Sequence, residues 1–223
     1  METRSAQERR ERLVELYRSV SDCTRCPLHE CRTRVVFGSG NANAELMFVG
    51  EAPGAVEDQQ GLPFVGRAGG LLEELLVGVG LRREDVFITN VLKNRPPGNR
   101  DPQPDEIEAC KPYLFEQVDL IEPKVVCTLG NFATKLLTRS NRGITAVRGR
   151  PQAHELGGRW VSIYPLYHPA AALRTPRVRA ELQEDFAGLP ELLAQPAPRP
   201  PGQPLPVAPE PAAAPPPQLD LFG

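Results

Sequence analysis

The sequence predicts an α/β fold, a three-layer α/β/α sandwich around a four-stranded, mainly parallel sheet. Four short apolar or β-branched runs alternate with segments whose apolar residues have helical spacing, a pattern typical of a parallel sheet covered on both faces. The 223 residues are enough for one well-buried domain. No apolar run approaches the roughly 20 residues that a membrane span needs. The charged first residues do not resemble a secretory signal. We therefore expect a cytoplasmic protein with no membrane partner.

Strands and helices are predicted to alternate from the start of the chain to the end of the domain. The apolar runs predict strands at residues 45–50, 86–92, 124–130 and 160–166. Apolar residues three or four positions apart predict helices at residues 5–20, 69–79, 105–121, 131–138 and 177–193. In such a sheet ligands bind at the carboxyl ends of the strands, so the residues that follow each strand are the candidates for a site.

The distribution of proline predicts where the domain ends. Of the 25 prolines, 11 fall within residues 196–223, which contain almost no charge. Such a segment buries too little apolar surface to offset its loss of entropy on ordering. We expect a folded domain at residues 1–195 and a disordered, partly polyproline-II tail at residues 196–223.

The charge balance argues against bulk electrostatic attraction to DNA. The formal net charge is −2, so DNA binding would depend on local basic patches. Residues 139–150 contain four arginines and no acid, which fits either a solvated loop or a phosphate-binding segment. Those arginines are Arg139, Arg142, Arg148 and Arg150.

Polar residues that follow three of the predicted strands are candidates for one shared site. Glu51 follows the first strand in a Gly-Glu-Ala-Pro-Gly turn, Asn90 lies at the end of the second, and His168 follows the fourth. The glycine-rich residues 61–70 lead into a helix and include Arg67, a combination that favours phosphate binding. A Walker lysine loop and a dinucleotide-binding fingerprint are both missing, which disfavours the usual nucleotide cofactors.

The cysteines favour a metal or cluster site over disulfides. Five cysteines, an odd number, occur in a chain that we expect to be cytoplasmic. Cys23 and Cys26 form a C-x₂-C pair followed by Pro27, a step common at iron–sulfur ligands. The alternative is a pair of ordinary thiols. Cys127 lies inside an apolar run and is predicted to be a buried small hydrophobic residue.

Several ordered motifs resemble the family 4, iron–sulfur uracil-DNA glycosylases. They are the Gly-Glu-Ala-Pro-Gly turn at 50–54, residues 61–70, the Arg-Pro-Pro-Gly-Asn-Arg run at 95–100, and the His-Pro pair at 168–169. The resemblance covers roughly residues 14–193. It implies hydrolysis of the N-glycosidic bond of deoxyuridine in DNA, which releases uracil and leaves an abasic site in base-excision repair.

The resemblance also implies roles for individual residues. Phe64 would stack on the extruded base, and the amide of Asn90 would donate to uracil O4 and accept from N3–H. His168 would donate to uracil O2 as charge builds on the leaving base. Glu51 would orient water or support the cationic sugar. Ala52 stands where the best-studied glycosylase family has an aspartate. Contacts to DNA are expected from Arg67 and Arg174.

The expected cofactor is a structural iron–sulfur cluster of the [4Fe-4S] type. Cys23, Cys26 and Cys110 match three of the ligand positions that the resemblance implies, but Asn94 occupies the fourth. We favour Cys31 over Asn94 as the fourth ligand, because an amide is a poor ligand for iron. A three-cysteine cluster with a labile fourth site, or loss of the cluster, are the alternatives.

Two other functional classes are compatible with the same fold. One is a non-catalytic protein that captures uracil-DNA; some relatives bind covalently through a histidine in the loop after the second strand, and residues 93–100 contain none. The other is an iron–sulfur or zinc DNA-binding module with a decayed site. That module is disfavoured because the candidate site residues are all present, namely Glu51, Phe64, Asn90 and His168. We expect a monomer.

The last residues of the tail resemble a short docking motif. Bacterial repair and replication proteins bind the sliding clamp through a pentapeptide in which Leu and Phe fill an apolar pocket. The matching residues here are Gln218, Leu219, Leu221 and Phe222. The sequence therefore predicts the bacterial sliding clamp as a partner, reached through a flexible linker.

Overall fold

The computed structural model describes residues 5–200, which form a six-stranded sheet between two layers of helices. The strands are β1 Ser39–Gly40, β2 Leu46–Gly50, β3 Phe87–Asn90, β4 Val125–Leu129, β5 Gln152–Leu156 and β6 Arg159–Leu166. The α-helices are α1 Ala6–Ser21, α2 Ala55–Gln60, α3 Arg67–Gly78, α4 Pro104–Ile121, α5 Asn131–Thr138, α6 Ile144–Val147, α7 Pro169–Ala172, α8 Pro176–Ala187 and α9 Leu189–Ala194.

The sheet confirms the predicted class and corrects the number of strands. Its order is β1-β3-β2-β4-β6-β5, and the inner strands β3, β2, β4 and β6 run parallel. These are the four strands that the sequence predicts. The prediction of a four-stranded sheet is wrong in number, because β1 and β5 add antiparallel edges.

Both edge strands lack the apolar pattern used to predict the others. β1 has two residues, and most of β5 is partly or fully exposed, so neither contains an apolar run. A local signal for β5 does exist, because Gly157 and Gly158 have φ of +56° and +78° and join Leu156 to Arg159 in a two-residue hairpin turn. Glycine pairs are typical of such turns.

The core lies on both faces of the sheet. Along β2, Leu46 and Phe48 pack into one apolar cluster, and Met47 and Val49 pack into the other. Alternation of this kind follows from the two-residue period of a strand. The Met47 cluster contains side chains of α1, α4 and α5, and the Phe48 cluster contains side chains of α3, α8 and α9. Cys127 belongs to the second cluster and is fully buried, as predicted.

The boundaries of α1, α3, α4 and α5 follow the predicted segments, whereas the short helices α2, α6 and α7 were not predicted and the last predicted helix differs. Helix α1 begins with a capping box, in which Ser5 Oγ accepts from the Glu8 amide and the Ser5 amide donates to the Glu8 carboxylate. The single helix predicted at 177–193 is two helices, α8 and α9. Pro190 has no amide hydrogen to continue the hydrogen-bond pattern, and the Asp185 carbonyl accepts from the Tyr164 hydroxyl at 2.9 Å.

The helices of residues 5–200 do not include one that is both long and apolar enough to cross a membrane.

Candidate active site

A cavity of about 540 Å³ opens at the carboxyl ends of the parallel strands. The chain leaves β2 toward β3 on one side and later returns to β4 on the other, so this edge contains the point where the strand order reverses. Ligands of open α/β sheets bind at such points. The cavity brings together five predicted residues, namely Glu51, Phe64, Asn90, His168 and Arg174.

Asn90 ends β3 and presents an unpaired acceptor to the cavity. The residue is only 2% exposed, and its Oδ1 has no hydrogen-bond partner among the described residues. A buried acceptor without a partner costs free energy, so this amide is suited to a ligand that brings a donor. The lack of a side chain at Gly50 leaves room for Asn90 and Phe64, because a Cβ there would lie 2.4 Å from Asn90 Oδ1 and 2.6 Å from Phe64 Cζ.

A buried lysine side chain is hydrogen-bonded to the backbone of Asn90. Lys93 is 1% exposed, and its Nζ donates to the Asn90 carbonyl at 2.8 Å, to Thr89 Oγ1 at 2.7 Å and to Gln117 Oε1 at 2.7 Å. Burial lowers the pKa of Lys93 to about 7, and the nearby Cys110 opposes the shift. Three neutral acceptors use all three ammonium hydrogens. Sequence analysis missed Lys93 because the loop after a strand gives no signal of burial.

Phe64 forms one wall of the cavity in an uncommon backbone conformation. Its φ is +51°, and its ring lies 5.6 Å from the His168 ring, centroid to centroid, at an interplanar angle of 30°. Gly69 of α3 packs directly beneath, since a Cβ there would lie 1.9 Å from the Phe64 carbonyl oxygen. The ring and Asn90 Oδ1 both lie against Gly50, so the aromatic side chain is close to the unpaired acceptor.

A hydrogen bond from the backbone to His168 determines which of its two ring nitrogens carries the proton. Nδ1 accepts from the Ala170 amide at 3.1 Å, so the proton of the neutral ring is on Nε2. Burial lowers the pKa of His168 to about 4, against the opposite effect of the Glu57 carboxylate. At neutral pH the residue is an uncharged imidazole with a free N–H.

Glu51 is a carboxyl group that titrates near neutrality. Burial and, as a smaller effect, the negative charge of Asp101 raise its pKa to about 7. Both residues line the cavity. A carboxyl group with this pKa can accept a proton at neutral pH, as general bases do. Asp101 lies in the loop before α4 and was not among the predicted site residues.

A carboxylate of the protein binds two amides of the glycine-rich segment just before α3, and phosphate binding there stays a prediction. The Val65 and Gly66 amides donate to Glu57 Oε1 at 3.1 and 2.8 Å, so a carboxylate of the protein already occupies these donors. Arg67 begins α3 as an exposed residue beside the cavity-lining Ala68, and Arg174 is exposed at the cavity. Glu57 was missed because it lies inside α2.

Of the four arginines in residues 139–150, one forms an ion pair within the protein and three are exposed. Arg148 donates to both carboxylate oxygens of Asp185, each at 2.9 Å. Arg139, Arg142 and Arg150 are exposed. The Gly149 amide donates to the Pro165 carbonyl, which places this segment near the end of β6 that leads to His168.

Comparison with known proteins agrees with this geometry. The family model of the uracil DNA glycosylase superfamily matches residues 37–188. A type-4 uracil-DNA glycosylase of Archaeoglobus fulgidus is 46% identical over 192 residues, which cover 84% of this chain and 96% of the relative. The chain belongs to the uracil-DNA glycosylase superfamily. Further type-4 relatives are those of Sulfurisphaera tokodaii, 47% identical over 82% of this chain and 86% of the relative, and of Thermotoga maritima, 48% identical over 74% and 85%.

Three of the predicted cluster ligands, Cys23, Cys26 and Cys110, lie near one another. Burial raises the pKa of Cys26 and of Cys110, and the charge of Cys23 raises both further. Tyr113 of α4 has its pKa raised to about 12 by burial and by a hydrogen bond with Cys23. Among residues 5–200 no group of three or more His, Cys, Asp or Glu side chains is arranged to hold a single metal ion. An iron–sulfur cluster distributes its thiolates over several irons, so its ligands need not converge on one point.

The two candidates for a fourth ligand differ in exposure. Cys31 is exposed, and its Sγ lies 3.9 Å from the Arg95 carbonyl oxygen, beside the Lys-Asn-Arg segment. Asn94 is buried, and its Oδ1 has no hydrogen-bond partner among the described residues. The donor set therefore consists of three grouped thiols with two neighbouring candidates for the remaining position. The predicted clamp motif, at residues 218–222, lies outside the described residues.

Proposed function

We propose that this protein is a uracil-DNA glycosylase that hydrolyses the N-glycosidic bond of deoxyuridine in DNA, as the type-4 relatives' names indicate. The products are free uracil and an abasic site, the first intermediate of base-excision repair. The observation that carries the proposal is the unpaired Asn90 Oδ1 in a cavity walled by an aromatic ring. Uracil has an N3–H donor beside the O4 acceptor, and an amide side chain matches both groups.

Base recognition depends on Asn90 and Phe64. Taking the base out of the helix costs a few kcal/mol, which stacking and hydrogen bonds in the pocket must offset. The Phe64 ring provides the stacking surface, and Asn90 accepts from N3–H while its amide nitrogen donates to O4. Cytosine presents the reverse donor pattern, so with the amide in the same orientation the buried Asn90 Oδ1 would face the N3 acceptor of cytosine.

His168 and Glu51 act on the two sides of the breaking bond. The neutral Nε2–H of His168 donates to uracil O2, where negative charge grows as the bond to the sugar lengthens. Glu51 in its carboxylate form orients the attacking water and supports the positive charge on the sugar. The proton of the water leaves by way of that carboxylate, and the uracil anion leaves hydrogen-bonded to His168.

The decisive experiment measures uracil release from a single-stranded oligonucleotide and from a U·G duplex. We expect release from both, and we expect Asn90→Asp to lose roughly 100-fold in rate because a carboxylate cannot donate to O4. Tight binding to both DNAs without release would instead support the non-catalytic uracil-binding protein.

Exposed arginines are proposed to contact the phosphates. Arg174 at the cavity and Arg67 at the start of α3 lie at the rim, where the DNA backbone must pass if a base enters the pocket. Arg139, Arg142 and Arg150 provide further positive charge. A protein with net charge −2 depends on such local contacts, so its affinity for DNA should fall as salt rises.

Cys23, Cys26 and Cys110 are proposed to hold an iron–sulfur cluster, with Cys31 as the fourth ligand. The charge of Cys23 raises the pKa of Cys26 and of Cys110, so these three thiols lie near one another, and Cys31 lies beside the segment that contains Asn94. When bound, the cluster would cross-link the segment after α1 to α4 and so stabilise the fold. Loss of the cluster should therefore lower thermal stability before it lowers the rate of base release.

The segment at residues 196–223 is proposed to tether the catalytic domain of residues 1–195 to the sliding clamp. The motif residues are Gln218, Leu219, Leu221 and Phe222. Deleting residues 218–223 should abolish clamp binding and leave uracil release from free oligonucleotides unchanged. Deleting residues 205–210 keeps the motif and is the matched control. Clamp affinity that survives the first deletion would contradict the motif. Monomeric state and cytoplasmic location remain predictions.

A further inference from the structure

The turn that carries Phe64 is held by charged side chains from two sides. On one side, Glu57 Oε1 accepts from the amides of Val65 and Gly66. On the other, Arg83 donates through Nη1 to the Phe64 carbonyl at 2.8 Å and through Nη2 to the Pro63 carbonyl. Two side chains thus satisfy four successive backbone groups of one turn.

The backbone of Phe64 needs such support. A φ of +51° is uncommon for a residue with a side chain, and for a bulky aromatic residue it is maintained only where the surroundings determine it. Gly69 permits α3 to start directly under the Phe64 carbonyl, but a glycine removes an obstacle and supplies no attraction. The attraction at that carbonyl comes from the Arg83 guanidinium.

Arg83 lies in the short 3₁₀ turn Arg83–Asp85 before β3, outside the residues that line the cavity. Burial lowers its pKa, while the charges of Glu73 and Glu57 act in the opposite direction. Its hydrogen bonds are partly buried, and the planar guanidinium can reach two adjacent carbonyls at once. A lysine ammonium at this position lacks the planar fork of the guanidinium, so it could not bond the two carbonyls with the same geometry.

We propose that Arg83 is a positioning residue for uracil excision, which holds the left-handed backbone of Phe64 and thereby keeps the aromatic ring at the uracil pocket. The inference rests on the proposed function. Arg83 acts through Phe64 and does not touch the base. Its loss should therefore affect only steps that use the Phe64 ring.

The test is a double-mutant cycle measured by single-turnover uracil release with enzyme in excess. We expect Arg83→Met to slow release at least 10-fold in the wild-type background, and less than 2-fold in a Phe64→Ala background. Arg83→Lys should lie between wild type and Arg83→Met. The matched control is Arg82→Met, whose exposed neighbouring side chain pairs only with Asp85 and Glu84 in the described contacts. Equal losses in the two Phe64 backgrounds would overturn the proposal, because they would indicate general damage to the fold.

Amide hydrogen exchange of the peptide at residues 62–70 gives a readout that does not require activity. We expect the Val65 and Gly66 amides to exchange at least 10-fold faster in Arg83→Met, or in Arg83→Lys if the methionine variant does not fold. Arg82→Met should leave their exchange unchanged. Unchanged exchange in the Arg83 variants would refute the positioning role. A wild-type protein that releases no uracil would refute the proposed function, and the exchange rates would still decide whether Arg83 holds the turn.

Discussion

Replacing His168 with alanine removes two hydrogen bonds that have different consequences. The Nδ1 acceptor caps the short helix α7 through the Ala170 amide, and the Nε2–H is the donor that we assign to uracil O2. The first bond contributes to folding in every state of the enzyme. The second is strongest only when negative charge develops on the leaving base, so it should contribute mainly to the rate.

The two magnitudes can be separated. Loss of one preorganised donor in a site shielded from water costs about 3–4 kcal/mol of transition-state stabilisation, or 10²- to 10³-fold in rate. Loss of a helix cap costs about 1 kcal/mol of folding stability. Because the pKa of His168 is about 4, the wild-type residue is neutral above pH 5, and its contribution should not change between pH 6 and pH 9.

The assay is single-turnover uracil release, combined with equilibrium binding to the same DNA and thermal unfolding. We expect His168→Ala to lose at least 100-fold in rate and no more than about threefold in DNA affinity, since phosphate contacts remain. His168→Ser is the matched variant, because serine can cap α7 but is too short to reach the base. It should recover the melting temperature and not the rate. Equal losses in rate and affinity, or full recovery of rate with serine, would refute the reasoning.

Further predictions concern Glu51, Gly50 and the cysteine ligands of the proposed cluster. Uracil release should rise with pH around 7 and then level off, because Glu51 must lose its proton; Glu51→Gln should remove this rise. Since burial raises the pKa of Glu51 to about 7 in the fold, ionisation costs stability as pH rises from about 4.5 to 7, and Glu51→Gln should raise the melting temperature at pH 8 relative to wild type. Gly50→Ala should slow release at least 100-fold with a smaller effect on DNA binding, because the new Cβ would overlap Asn90 Oδ1; an unchanged rate would show that the amide is free to move. Cys31→Ser should lower the iron and sulfide content, whereas Cys127→Ala should not, and a complete four-iron cluster in Cys31→Ser would exclude Cys31 as a ligand.

The parallel sheet and its ligand-binding edge could be predicted because both depend on local pattern. Apolar runs identify β2, β3, β4 and β6, and parallel strands necessarily end at one edge. For that reason Glu51, Asn90 and His168 could be assigned to a single site from the sequence. The edge strands could not be predicted in the same way, because an edge strand that is short or half exposed needs no apolar run.

The residues missed by sequence analysis act through contacts across the fold. Glu57 looks like an ordinary helical glutamate, Lys93 like a loop lysine and Arg83 like a surface arginine. Each gains its role from partners that only folding brings within reach, such as Gln117, which is 24 residues from Lys93. In the same way, the Glu57 carboxylate accepts from two amides of the glycine-rich segment, a contact that the sequence does not indicate.

The sequence by itself determined the α/β class, the order of the site-bearing segments and the family, since each of these depends on residue types and spacings. Tertiary structure alone decided that Asn90 Oδ1 has no partner within residues 5–200, that His168 carries its proton on Nε2, and that the pKa of Glu51 is about 7. The physical reason is that hydrogen-bond satisfaction and desolvation depend on every group packed around an atom, and those groups come from distant parts of the chain.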